Sequence, residues 1–197
     1  MAKKVSSRRQ TANQSGDNRL RNIIIGGVIA IVVIALGLLL YLNLQEPEAL
    51  TDLQRFVGLD RAHDEEVVYD DTGLPPVGGI HSGVWQNCGI YDEPIETKNA
   101  VHSMEHGAVW VTYQTDLAAD DVETLRDEVS QYRYAILSPF EGLQSPVVLT
   151  AWGIQLEVDS ADDSRIATFL DRYVQGPQTP EIGATCSDGN GTPLVMN

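Results

Sequence analysis

Ala108-Val109-Trp110-Val111-Thr112-Tyr113 is the stretch on which the fold turns. It is a compact run of β-branched and aromatic residues, and it reads as a buried strand. Asp116 offers a polar break behind it. Asp120 or Asp121 then caps a helix in which Val122, Leu125, Val129 and Tyr132 recur at helical spacing, with acids in the first turn, where they oppose the helix dipole. This helix should end near Gln131. Tyr134-Ala135-Ile136-Leu137 reads as a second strand, stopped by Ser138-Pro139. Val147-Val148-Leu149-Thr150-Ala151-Trp152 reads as a third, and beyond Gly153 come the alternating Ile154, Leu156 and Val158. Gly153 marks a bulge or a turn in that long strand or hairpin. A last helix opens near Asp162-Asp163, places Ile166, Phe169, Leu170 and Tyr173 on one face, and stops at Gly176-Pro177. The order strand, helix, strand, strand, helix predicts an α+β domain: one small sheet of three to five strands with two packed helices.

Toward the N-terminus the composition changes twice. Residues 45–66 read as a stalk, with a short helix over Leu50 to Val57 and His63 solvated between Arg61 and Asp64-Glu65-Glu66; the domain proper is expected over 67–187, with 188–197 as a tail. Ile23 to Leu42 carries no charge and is almost wholly Ile, Val, Leu, Ala or Gly, which meets the roughly 20 residues a helix needs to cross the hydrocarbon layer. A single transmembrane helix is therefore expected over 23–44. A cleaved signal peptide would have a shorter apolar run and a small-x-small site, and Tyr41-Leu42-Asn43-Leu44-Gln45-Glu46 offers none. Residues 1–22 hold six basic side chains and one acid and read as a disordered tail. Basic residues beside a span stay in the cytoplasm, so the expected topology is single-pass in the plasma membrane with the domain extracytoplasmic. Taking the tail's charges from the chain's 13 basic and 28 acidic residues leaves seven basic and 27 acidic in the exported part, net −20. Such a surface repels nucleic acid and collects cations or basic partners.

Cys88 and Cys186 are the two cysteines, and both fall in the exported part, where an oxidising compartment favours a disulfide. The rival reading keeps Cys88 free as a metal ligand.

His102-Ser103-Met104-Glu105-His106 carries the chemistry, with His81 ahead of Trp85-Gln86-Asn87-Cys88-Gly89. If 102–106 is extended, His102, Met104 and His106 point to one side, and imidazole with thioether suits copper, the reduced ion above all. If it is helical, His102 and His106 share a face without Met104, and zinc, copper or nickel fit equally. His102, Glu105 and His106 also spell H-x-x-E-H, the inverted zincin pattern, but Gly107 and a strand follow at once and a third acidic ligand is in no recognisable motif. Phosphate loops, nucleophile elbows and C-x-x-C redox pairs do not occur.

Asn87-Cys88-Gly89-Ile90-Tyr91, Asn99 to Gly107 and Ser145 to Gly153, together with Ser138-Pro139 and Pro180 to Cys186, resemble a bacterial family known as domain of unknown function 3105 over about residues 75–187. The resemblance implies a membrane-anchored extracytoplasmic domain.

Two readings follow. In the first, the domain binds a transition metal, copper before zinc, through His81, His102, Met104 and His106, with Asn99 or Glu105 orienting an imidazole and a metal-accepting protein as partner. In the second it is a non-enzymatic accessory subunit of a membrane complex, its anchor packing on partner helices through Gly26-Gly27 and Gly37. A metallohydrolase built on H-x-x-E-H comes third.

Overall fold

The computed structural model describes residues 21–38 and 50–196. They fall in two separate units, each treated by itself. In the first, α1 (Arg21–Leu38) is 18 residues long with a mean hydropathy of 2.3, long and apolar enough to cross a membrane. The expected remainder of the span, 39–44, lies outside the described residues, as do the tail over 1–20 and the first part of the stalk.

The second unit is an α+β domain on a six-stranded mixed sheet, one strand larger than the sequence predicts. In chain order its elements are β1 (Gln54–Arg55), β2 (Gly89–Ile90), α2 (Thr97–Glu105), β3 (Val109–Gln114), α3 (Ala119–Val129), β4 (Ala135–Phe140), β5 (Val147–Ala151), β6 (Ile154–Val158) and α4 (Arg165–Tyr173). The strands lie in the order β1-β6-β5-β3-β4-β2. β2, β3 and β4 run parallel, linked by α2 and α3 as crossovers, whereas β5 and β6 form an antiparallel hairpin against β3. Gly153, at φ +70, turns that hairpin.

The run Val109 to Tyr113 is apolar without alternation because both faces of the sheet are covered. Val109, Val111, Leu137, Leu149 and Leu156 face Leu125 and Val129 of α3 and Ile166, Phe169 and Leu170 of α4. Trp110, Ala108, Ile136 and Trp152 face the other way, against Ala100, Val101 and Met104 of α2 and the Cys88 and Cys186 side chains.

Several expectations need correcting. β4 runs through Ser138-Pro139 rather than stopping there, because two-residue β2 pairs only with Ile136 and Leu137 and leaves the outer side of Pro139 without a ladder bond to supply. Residues 54–55 are a strand on β6 and not a helix, so the region expected to be stalk contributes to the sheet. The C-terminal residues are likewise tied in: Ile90 N donates to Val195 O at 3.0 Å and Asn190 N to Trp85 O at 2.8 Å.

Candidate metal centre

One wall of the centre is α2. Its C-cap is His106, and Gly107 at φ +99 turns the chain into β3. The helix settles the alternative left open by the sequence. Positions 102, 105 and 106 share a face by their i, i+3, i+4 spacing. Position 104 lies about 200° round from 102. Met104, expected among the ligands on the extended reading, therefore packs in the apolar cluster with Val101, Trp110 and Trp152.

The facing wall is made by two irregular segments that pair as a short parallel bridge between His63 and His81. Asp64 N donates to His81 O at 2.7 Å and His81 N to Ala62 O at 3.1 Å. This pairing draws His63 out of the expected linker and sets its ring 4.8 Å from that of His81 and 4.9 Å from that of His102. The donor atoms of His63, His81, His102 and Glu105 all lie within 4.8 Å of one another. His106 stands at the edge, its ring 4.5 Å from that of His102 and its Nε2 3.8 Å from Glu181 Oε2. All four histidines of the chain thus gather at one place.

Main-chain carbonyls set the imidazoles. Nδ1 lies 2.7 Å from Gly79 O in His81, from Ser82 O in His102 and from Thr185 O in His106. A carbonyl oxygen can only accept, so each Nδ1 carries a hydrogen, and Nε2 of His81 and of His102 is the ring nitrogen left toward the grouped donors. Burial, opposed by the Ser82 hydrogen bond and assisted by the three neighbouring imidazoles, lowers the pKa of His102 to about 4. That ring is neutral at physiological pH.

Glu105 supplies the oxygen. Arg61 Nε donates to its Oε1 and Arg61 Nη2 reaches Glu181 Oε1 at 2.8 Å. The second oxygen, Oε2, faces His81 Nε2 at 3.0 Å and His63 Nε2 at 3.9 Å. His81 is 0% exposed, and its Nε2 has no hydrogen-bond partner despite that approach. Two electron-rich atoms buried this close call for a proton or a metal cation between them.

Asn99, expected to orient an imidazole, makes no hydrogen bond to a histidine ring among the described residues. Its Nδ2 donates to Val84 O at 2.7 Å and approaches Ser82 Oγ at 3.5 Å, which fixes the turn whose Ser82 carbonyl holds His102. Cys88 and Cys186 are within disulfide distance of each other, with Cα atoms 5.4 Å apart, so no thiol is offered to the centre. Trp85 and Trp152 wall it, with ring centroids 5.8 Å from His102 and 5.7 Å from His81. The H-x-x-E-H reading gains nothing, because Glu105 is held by Arg61 instead of being free to activate water.

Sequence reasoning missed His63 and took Glu105 as a supporting residue. His63 escaped because a donor contributed by an irregular segment has no periodicity, whereas Glu105, on α2 three residues after His102, was seen but placed in support of the histidines. The signal on offer was the histidine count, since a chain with only four gives each of them weight.

No curated protein and no solved structure matches the chain. The family described as protein of unknown function (DUF3105) matches residues 60–188, the span that holds His63, His81, His102, Glu105 and both cysteines, and the chain belongs to that family.

Proposed function

We propose that the domain is an extracytoplasmic transition-metal carrier, tethered by α1 with the basic tail in the cytoplasm, that holds one divalent ion on His63, His81, His102 and Glu105. The observation that carries this reading is the inward-facing lone pair of His81 Nε2, fully buried, unpartnered and 3.0 Å from a carboxylate oxygen. Leaving a buried polar atom unsatisfied costs about 1–3 kcal/mol, and a bound cation removes that cost. The Nδ1-to-carbonyl bonds are the arrangement by which metal-binding imidazoles are commonly oriented.

Three imidazole nitrogens and one carboxylate oxygen suit copper(II), which heads the affinity order for such donors, with zinc as the alternative. With Met104 in the core the soft donor that would favour reduced copper is absent from the set. The acidic surface raises the local concentration of cations around the centre. A carrier role is favoured over hydrolysis because the one carboxylate in the set is already engaged by Arg61.

The Arg61 ion pairs favour one other reading. They already fasten Arg61 to Glu105 of α2 and to Glu181, so the cluster would also serve as a polar lock inside an accessory subunit, with a proton between His81 and Glu105. Metal analysis of the full chain, purified in detergent and dialysed after exposure to copper(II) or zinc, separates the two. The carrier reading expects one ion per chain, lost in His102→Ala and in His81→Ala. A wild-type protein that binds neither ion leaves the lock.

A further inference from the structure

We propose that His63 is the exchangeable ligand of this centre, and that its position is where a histidine of a metal-donating or metal-accepting protein takes hold of the ion. The inference rests on the metal reading above and assigns its four donors unequal parts.

Burial divides them first. The side chains of His81 and Glu105 are 0% and 2% exposed and His102 is 4% exposed, whereas the His63 side chain is 51% exposed. Restraint divides them in the same way. Backbone carbonyls fix the rings of His81 and His102, and Arg61 fixes Glu105. Among the described residues no hydrogen bond fixes the His63 ring, and Glu105 Oε2 stands 3.9 Å from its Nε2. It rests instead on the face of the His102 ring, 4.9 Å away at an interplanar angle of 23°. Its backbone is held by the bridge to His81, so the ring can swing outward about its side-chain torsions while the chain stays in place.

With His63 swung out, two imidazoles and a carboxylate remain. That set holds a divalent ion and leaves a position open. The His63 side chain is 51% exposed, so the position it vacates is open to solvent. An incoming imidazole forms its nitrogen–metal bond there as the bond to His63 breaks. The ion keeps its charge and no electron is transferred. Departure of the ion then requires only the buried three donors to yield, one after another, to the partner.

The test loads the full chain in detergent with copper(II) and compares wild type with His63→Ala, His81→Ala and His102→Ala, using free imidazole as the probe. His63→Ala is expected to keep one copper per chain, to lose it to a competing chelator about tenfold faster, as a loss of about 1.4 kcal/mol gives, and to regain the wild-type visible and spin-resonance spectra when imidazole is added. His81→Ala and His102→Ala are expected to arrive metal-free and to stay so. A loaded wild type beside a metal-free His63→Ala, or a His63→Ala spectrum that imidazole leaves unchanged, overturns the exchange role alone. A wild type that takes up no copper overturns the metal reading and this inference together.

Discussion

Replacing Cys88 and Cys186 together by alanine should lower the stability of the domain by up to about 4.7 kcal/mol, the chain-entropy cost of releasing a loop of about 100 residues. The magnitude comes from the sequence separation of 98. It is an upper bound, since residual order in the unfolded chain reduces it. Domains of this kind are stable by about 5–15 kcal/mol, so the bound is about a third of the total even at the stable end of that range. With a urea dependence of roughly 2 kcal/mol per molar, the midpoint should fall by about 2 M. Trp85, Trp110 and Trp152 report the transition by fluorescence, two of them buried beside the cysteine pair. The pairing also reaches the centre. Cys88 N donates to Cys186 O at 2.9 Å, and the residue before Cys186 is Thr185, whose carbonyl orients His106. Coincident urea transitions for wild type and the double variant would refute the entropy argument. Free thiols found in the denatured, unreduced wild type would refute the pairing itself.

Acid should destabilise the metal-free domain between about pH 6.5 and about pH 4, the unfolded and folded values for His102. In that window the unfolded chain takes up a proton that the buried ring refuses, so stability falls with pH by up to about 3 kcal/mol and this group adds nothing further below it. Chemical denaturation across the window measures the slope, and His102→Gln should flatten it; an equal slope in that variant refutes the assignment. Met104→Leu, a volume-conserving change in the apolar cluster, should cost less than about 1.5 kcal/mol and leave copper stoichiometry as in wild type. Loss of copper in that variant would return the thioether to the ligand set.

The central strands and the two outer helices were legible because their signals are hydrophobic. β3 to β6 are runs buried on both faces, and α3 and α4 show apolar residues at helical spacing. α2 was not legible, because its buried face is polar. Asn99, His102, Ser103 and Glu105 are buried in it together with Ala100, Val101 and Met104, so apolar periodicity does not mark the side that packs. β1 and β2 escaped for another reason, since two residues are too few for any pattern. Of the four grouped donors, the sequence singled out His81 and His102 as ligands and placed Glu105 beside them. His63 was hidden by its neighbours, a run of charged residues tied to the domain by main-chain hydrogen bonds to His81 and by side-chain bonds of Arg61 and Glu65, none of which leaves a periodic pattern in the sequence.

The polar face of α2 explains why that helix departs from the usual core pattern. Ser103 Oγ donates to Gln86 O at 2.7 Å and accepts from Gln86 N at 2.9 Å, and Asn99 ties down Val84. These bonds satisfy the buried polar groups and at the same time hold the 79–86 segment at a fixed distance from the helix. The carbonyls of Gly79 and Ser82 come from that segment, so the network that makes polar burial tolerable is also the one that aims the imidazoles of His81 and His102. An apolar α2 would have packed more cheaply and left those carbonyls unaligned. The rigidity stops at His63, which the network does not reach; three side chains are thereby preset and the fourth is left free to move, which is the division that the proposed exchange of an ion draws on.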